Sequence, residues 1–209
     1  ASIQCPADCN GAGICDHSVG RCDCVVGRHG ADCSQRAPIL NRIIPPLGPT
    51  QGETRVTISG QHFDRETIIL CQFFEDGISA ATIVNDSAVE CLSPPHTTAR
   101  YANVRVIQAN QSSVNTVPFQ YYTPPALLTM VPYFGSRYGG TEVLVYAEAL
   151  PAGYDMQCVF LTTIDGVTTA SMVPALQQGN AVLCITPPGT GTATVELSLN
   201  GQQYGTSVD

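Results

Sequence analysis

Ten cysteines are the residues of this 209-residue chain with the most definite chemistry. They are Cys5, Cys9, Cys15, Cys22, Cys24, Cys33, Cys71, Cys91, Cys158 and Cys184. Six of them fall within the first 33 residues, a density typical either of a zinc site or of a segment too short to close an apolar core. Only one residue separates Cys22 from Cys24, which is a closer spacing than structural zinc sites use. The pattern therefore favours disulfides formed in an oxidising compartment.

The other residues capable of chemistry do not form a recognisable site. The four histidines are His17, His29, His62 and His96. Their spacing suits neither a metal site nor a catalytic triad, so we interpret them as solvated or locally bonded. The acidic pairs are Asp64 with Glu66 and Glu75 with Asp76. They fit solvated loop charge better than a glycosidase pair. We predict no enzyme activity, no catalytic or cofactor-binding residues, no cofactor and no metal.

The composition excludes several classes of protein. Charged residues make up 12 % of the chain, against about 25 % in an average soluble protein, and the net charge is -8. An acidic chain with scattered arginines and no lysine is a poor ligand for nucleic acid, because phosphate affinity needs clustered cations. The sequence has no run of about 18 apolar residues, so we expect no membrane contact within this segment.

Two similar stretches follow the cysteine-rich start of the chain. Residues 52–58 align with residues 139–145, and Cys71-Gln72-Phe73 aligns with Cys158-Val159-Phe160. Further on, residues 91–95 align with residues 184–188. Agreement at so many separate positions indicates an internal repeat and two domains of about 85 residues.

Each repeat has the pattern of short strands separated by Gly- and Pro-containing turns, which predicts a β-sandwich. The expected strands cover residues 56–59, 68–73, 88–92, 104–107 and 117–122, then 143–146, 157–161, 182–185 and 194–199. No stretch is long enough for a crossover helix, which argues against parallel sheet. Within the repeats, Cys71–Cys91 and Cys158–Cys184 are the economical pairings; four free buried cysteines are the alternative.

The first 36 residues resemble an EGF-like domain of the tenascin or teneurin type. The resemblance rests on Cys5-Pro6-Ala7-Asp8-Cys9-Asn10-Gly11-Ala12-Gly13-Ile14-Cys15, then Cys22-Asp23-Cys24, then Gly27, Gly30 and Cys33. It implies the pairs Cys5–Cys15, Cys9–Cys22 and Cys24–Cys33. Gly27 and Gly30 are expected in tight turns that need a positive φ. Residues 1–4 lack the acidic cluster of calcium-binding members, so no calcium is expected.

The two repeats resemble the IPT/TIG domain, an immunoglobulin-like fold of plexins, the hepatocyte growth factor receptor family and protist surface proteins. The motif reads Ile44-Pro45-Pro46-Leu47-Gly48, residues 52–58, Gly60-Gln61-His62-Phe63, Cys71-Gln72-Phe73 and Cys91-Leu92-Ser93-Pro94-Pro95. The second repeat departs from it, because residues 147–150 replace the Gly-x-x-Phe element.

These patterns predict three domains in an all-β chain. The resemblances imply an EGF-like domain over residues 1–36 and IPT/TIG domains over residues 37–122 and 123–209. Aligning the repeats places the end of the chain inside the last strand of the second sandwich, so we expect that strand to be truncated and the polypeptide to be longer.

Two kinds of surface site are expected. Asn85 and Asn110 lie in Asn-x-Ser motifs of predicted loops and are candidate N-glycosylation sites. Aromatic residues cluster around the junction of the two repeats and are candidate contacts for another chain. They are Tyr121, Tyr122, Tyr133, Phe134 and Tyr138.

The sequence and its resemblances together predict a non-enzymatic extracellular structural or adhesion protein, delivered through the secretory pathway to the cell surface or beyond. Its partners would be other protein chains, through self-association or neighbouring extracellular proteins, with glycans attached. It would be a segment of a building block for a filament, coat or flagellar hair. Two alternatives stay open: the ectodomain stalk of a plexin-like receptor, and the spacer domains of a secreted carbohydrate-acting enzyme.

Overall fold

The computed structural model describes residues 3–65, 67–75, 77–109 and 111–208. Regular structure in these residues consists of strands, apart from a short 3-10 turn over Pro6–Gly11, so the all-β prediction is confirmed. Two compact units divide the chain. The first runs through Ile44 and adds Arg55–Pro94 and Tyr101–Phe119; the second holds Pro45–Thr54, Pro95–Arg100 and the chain from Gln120 onward. The division into three domains stays a prediction.

The N-terminal segment of the first unit is built around its cysteines. Its strands are β1 (Gly13–Asp16), β2 (Arg21–Cys24), β3 (Arg28–His29) and β4 (Gln35–Arg36), paired β1 with β2 and β3 with β4. The buried cluster of this segment consists of Cys5, Cys9, Cys22 and Cys33. Gly27 and Gly30 have φ values of +84° and +93°, which confirms the expected left-handed turns.

The first unit also holds most of a β-sandwich. The strands of the chain from Ile39 to Tyr122 are β5 (Ile39–Ile44), β6 (Leu47–Pro49), β7 (Arg55–Gln61), β8 (Ile69–Gln72), β9 (Ile78–Asn85), β10 (Ala88–Leu92), β11 (Arg100–Gln108), β12 (Gln111–Ser112) and β13 (Val117–Tyr122). Of these strands, β6 and the end of β13 belong to the second unit. Alternation along β7 and β11 buries one side chain in two, which is the pattern of a sheet with one face on the core. Phe73 and Phe119 meet edge to face in this core, with ring centroids 5.4 Å apart.

From β14 onward, the second unit is an antiparallel sandwich. Its strands are β14 (Leu127–Val131), β15 (Glu142–Ala147), β16 (Gln157–Ile164), β17 (Val167–Gln178), β18 (Ala181–Ile185), β19 (Ala193–Ser198) and β20 (Tyr204–Val208), in the order β14-β15-β18-β17-β16-β19-β20. Val145, Val182 and Leu197 lie in its core. Leu47 and Tyr122, which come from earlier in the chain, pack into the same core.

One pair of strands differs from the sequence-based expectation. β6 and the end of β13 run parallel, with Leu47 opposite Gln120 and Gly48 opposite Tyr121. The expectation that parallel pairing needs a crossover helix is wrong here, because the chain between these two strands consists of further strands. In the described residues, no helix has the length and apolarity to cross a membrane.

Candidate contact surface

All ten cysteines form disulfides. The pairs are Cys5–Cys15, Cys9–Cys22, Cys24–Cys33, Cys71–Cys91 and Cys158–Cys184, the same pairs that the sequence led us to expect. The sulfur atoms of Cys5, Cys9 and Cys22 lie within 4.8 Å of one another. Each of the three is bonded to another sulfur, so none is a thiolate that could bind zinc.

The histidines and acidic residues lie in different surroundings. His17 is exposed and hydrogen-bonds the Ile3 carbonyl oxygen at 3.1 Å, and the ring of His96 lies 5.7 Å from that of Tyr121. His29, His62 and Asp64 share one cleft in the first unit. Glu75 is exposed. Glu66 and Asp76 lie outside the described residues, so the two acidic pairs stay untested as pairs.

The five aromatic candidates separate into two groups. Tyr121 and Tyr122 are 1 % and 5 % exposed, so these two side chains offer no surface to a partner and belong to the packing of the second unit. Burial raises the pKa of the Tyr122 hydroxyl well above its usual range. Tyr133, Phe134 and Tyr138 are 72 % to 80 % exposed and remain candidates for contact with another chain.

These three exposed side chains lie on one loop between β14 and β15, residues 132–141, which we call the aromatic loop. The rings of Tyr133 and Phe134 pack edge to face at 5.4 Å. The Arg137 guanidinium lies 4.8 Å from the centroid of the Tyr138 ring and also donates a 2.9 Å hydrogen bond to the Tyr138 hydroxyl. The loop therefore presents two ordered side-chain pairs to solvent.

The backbone of the aromatic loop is fixed by hydrogen bonds to the segment that follows β18. Gly140 N–H donates to the Thr186 carbonyl at 2.9 Å, and Gly189 N–H donates to the Arg137 carbonyl at 3.0 Å. Thr186 N–H in turn donates to the Thr141 carbonyl at 2.9 Å. A loop held in this way loses little conformational entropy when a partner binds.

Next to this loop, the outer face of the second sandwich carries a row of apolar side chains. Val131, Leu144, Leu183 and Leu176 lie opposite one another on β14, β15, β18 and β17. Val131 and Leu176 are exposed, and the two central leucines are half-buried. Ile185 on β18 is a further exposed side chain on this face, and Met172 is exposed on the same side of β17 as Leu176, where that strand pairs with β16. We call these six residues the apolar face.

Sequence reasoning named all five aromatic residues as candidate contacts, of which three are exposed, and it missed the apolar face. The available signal was the unbroken apolar run of residues 143–146, because a strand with one solvated face should alternate with polar residues. Strand register was also needed, since Leu176 and Leu183 become neighbours only once β17 pairs with β18.

Of the two glycosylation candidates, only Asn85 lies in the part of the chain that the structure describes. Asn85 is exposed at the end of β9, where its Oδ1 accepts hydrogen bonds from the backbone N–H and the hydroxyl of Ser87, both at 2.9 Å. Asn110 lies outside the described residues.

We expect Asn85 to carry an N-linked glycan when the chain is secreted from eukaryotic cells, because an exposed turn is open to the transferase. The Asn85→Gln protein should be lighter than the wild type by one glycan in intact-mass spectrometry. Asn103→Gln is the control, since Asn103 is exposed on β11 but lies in no such motif. Equal glycan mass in the wild type and the Asn85→Gln protein would contradict the prediction.

Comparison with known proteins places these features in a family context. Residues 38–121 match the family model of the IPT/TIG domain. Plexin A3 of Danio rerio is 26 % identical over 187 residues; the match covers 83 % of this chain and 9 % of the relative's length. A structure of the plexin A4 extracellular region with domains 1 to 10 superposes with a TM-score of 0.57 at 16 % identity, over 79 % of this chain and 15 % of that chain. A second plexin A4 structure, with domains 1 to 8, gives 0.52 at 17 % identity, over 93 % and 21 %.

The five disulfides indicate that the chain folds in an oxidising environment, as extracellular proteins do. Modules of the IPT/TIG and immunoglobulin-like kind are typically non-catalytic, in keeping with a surface that presents aromatic and aliphatic side chains. Residues 38–121 are thus an IPT/TIG domain, in a chain that has plexin-like homologues and carries a second immunoglobulin-like sandwich and a disulfide-rich N-terminal segment.

Proposed function

We propose that this chain is a structural or adhesive segment of an extracellular protein, and that it acts by contact with other protein chains rather than by chemistry. The contact surface consists of the aromatic loop and the apolar face of the second unit. The observation that carries the proposal is the row of Val131, Leu144, Leu183 and Leu176 across four strands, beside a loop with three exposed aromatic rings.

The composition of this surface supports binding to protein. Interfaces are enriched in Tyr, Phe, Met and Arg and poor in Lys, Glu and Asp at their centre. The surface offers Tyr133, Phe134, Tyr138, Met172 and Arg137, all on the second unit. Aromatic rings of this size supply most of the binding energy where they are fixed before binding.

The finer assignments made from the sequence belong to the same proposal. Residues 1–36 form an EGF-like domain, residues 37–122 and 123–209 form two IPT/TIG domains, and the protein reaches the cell surface or extracellular space through the secretory pathway. Its binding partner is a second copy of the chain, which would build a filament, coat or flagellar hair. The low content of charged residues supports self-association, because exposed strands have few charges that would prevent pairing.

A receptor ectodomain is the second candidate, and the similarity to plexin A3 over 83 % of the chain favours it. In that case these modules would form part of a stalk, and the apolar face would contact neighbouring domains of the same polypeptide. This chain spans 9 % of the length of that relative, so the role of a stalk is proposed for this segment alone and not the activity of a whole plexin.

Sedimentation of the secreted 209-residue chain over a range of concentrations tests the contact surface. We expect concentration-dependent self-association, which Leu176→Arg and Tyr133→Ser each weaken by about tenfold or more, as loss of a central interface residue does. Val167→Arg is the matched control, because Val167 is equally exposed on the same strand but points to the opposite face.

The two candidate functions give different results in this experiment. A wild-type chain that stays monomeric at high concentration would overturn self-association and favour the receptor stalk. An equal loss of association in the Val167→Arg control would show that the apolar face is not the contact surface.

A further inference from the structure

The apolar face contains one residue whose side chain peroxides can modify, Met172. The chain has three methionines. Met130 and Met156 are partly buried and pack against the core of the second unit, whereas Met172 is 61 % exposed. All ten cysteines are in disulfides, so no free thiol competes for an oxidant. The thioether of Met172 is therefore the sulfur that an oxidant in solution reaches most easily.

Strand pairing determines the direction in which Met172 points. The residue lies opposite Val159 on β16, and Leu176 follows four positions later on β17, so Met172 and Leu176 point to the same side of that strand. Val173, which points to the other side, packs against the core. Met172 therefore faces away from the core, on the side of the second unit to which we assign contact with another chain.

The Met172 sulfur has a hydrogen-bond donor beside it. The Tyr204 hydroxyl, on β20, donates to the Met172 Sδ at 3.5 Å and lies equally far from the Gln157 Oε1. A distance of 3.5 Å is long for a hydrogen bond between two oxygen atoms, so the sulfur is the better placed acceptor. β16 and β19 lie between β17 and β20, and the contact therefore crosses two strands of one sheet.

Hydrogen peroxide converts a thioether of this kind to a sulfoxide. A lone pair of the sulfur forms a bond to one peroxide oxygen and the O–O bond breaks. The proton of the transferred oxygen moves to the departing oxygen, which leaves as water. The sulfur loses two electrons and the peroxide gains them. The product is polar and chiral, whereas the methionine side chain was apolar.

We propose that Met172 is a redox-sensitive residue of the contact surface, at which hydrogen peroxide forms a methionine sulfoxide that weakens contact with a second copy of the chain. The inference rests on the proposed function, because it requires self-association through the apolar face. In such an interface the sulfoxide oxygen would be buried beside Leu176 and its aliphatic neighbours, and a buried polar atom without a partner weakens binding. The change is reversible, since methionine sulfoxide reductases restore the thioether.

Tyr204 gives the modification a preferred stereochemistry. A thioether sulfur has two lone pairs, and oxygen transfer to one or the other produces the two sulfoxide epimers. The Tyr204 hydroxyl occupies one lone pair and leaves the other open to the peroxide. One epimer should therefore predominate at Met172, and because each epimer has its own reductase, one of the two reductases should restore most of the protein.

The experiment treats the disulfide-bonded 209-residue chain with hydrogen peroxide and follows both the modified residue and self-association. Peptide mapping by mass spectrometry should find one added oxygen atom on Met172 before Met130 and Met156 react. Sedimentation of the chain oxidised at Met172 should show self-association weakened by about fivefold or more, the lower end of the effect of burying a polar atom without a partner. Treatment with both reductases should restore it.

Two variants are matched to the two parts of the proposal. Met172→Leu keeps an apolar side chain of similar volume and has no sulfur. Peroxide treatment should leave its self-association at the value measured before treatment, whatever that value is. Tyr204→Phe removes only the hydroxyl, and in this variant the two reductases should each restore about half of the oxidised protein.

The possible results separate this proposal from the proposed function. Equally fast oxidation of Met130 or Met156 would overturn the assignment of the site, and equal amounts of the two epimers in the wild type would overturn the role of Tyr204. Unchanged self-association after oxidation of Met172, with Leu176→Arg still weakened, would overturn the redox sensitivity and leave the proposed function in place. A wild type that never self-associates would overturn the proposed function and the regulation together, and the peptide map would still decide which methionine is oxidised.

Discussion

Replacing Cys9 and Cys22 together with alanine is expected to unfold the N-terminal segment while the two sandwiches stay folded. The buried cluster of that segment is made of cysteines, so the disulfides take the place of an apolar core. Loss of one disulfide that closes a loop of this length costs about 3 kcal/mol, which exceeds what so short a chain can keep in reserve. Amide hydrogen exchange should show loss of protection in the strands of the N-terminal segment, β1 to β4, and not in the sandwiches.

The matched control removes a disulfide from a sandwich. Cys71→Ala with Cys91→Ala deletes a bond across a slightly longer loop, and it too should cost about 3 kcal/mol. The first sandwich should nevertheless stay folded in this variant, because Val56, Ile58 and Phe119 form an apolar core that does not depend on the disulfide. Loss of protection throughout the first sandwich would contradict this account. The two double variants therefore test whether the N-terminal segment needs its disulfides in order to fold, whereas the first sandwich is only stabilised by its disulfide.

The strands that the sequence predicted well are those with regular alternation. β10 and β13 have the bounds that were expected. Buried and less buried residues alternate along β10, and β13 ends with two buried tyrosines. β17 was missed, although its 12 residues make it the longest strand. Its first four residues are exposed, so they carry no alternation, and their strand conformation comes from residue-by-residue pairing with β16.

Two features could not be predicted from the sequence: which aromatic side chains are exposed, and which distant residues line the same cleft. Tyr122 and Tyr133 are the same residue type 11 positions apart, yet one is 5 % exposed and the other 80 %. Residue type does not predict this difference in exposure, because the burial of a side chain depends on which other strands pack over it. The spacing of His29 and His62 in the sequence indicated no site, and the two residues line one cleft because the disulfide-rich segment lies beside the residues that follow β7.

Gly139→Ala is expected to displace the backbone of the aromatic loop while all of its aromatic residues are kept in the sequence. Gly139 has a φ of +76°, and a Cβ added there would lie 2.7 Å from Pro188 N and 2.8 Å from the Thr186 carbonyl oxygen. These are backbone atoms, so no side chain can rotate away to make room. The left-handed conformation costs about 1–2 kcal/mol and the overlap about 1–3 kcal/mol more. Urea unfolding of the second unit should therefore show a loss of about 3 kcal/mol.

Gly140→Ala is the adjacent control. Gly140 has nearly the same φ, +79°, but a Cβ there would meet nothing within 4 Å, so only the conformational cost of about 1–2 kcal/mol applies. If the fixed geometry of the aromatic loop matters for contact, Gly139→Ala should weaken self-association as strongly as Tyr133→Ser does, whereas Gly140→Ala should leave it close to the wild type. Equal loss of association in the two glycine variants would mean that contact depends on the exposed rings alone and not on how the backbone presents them.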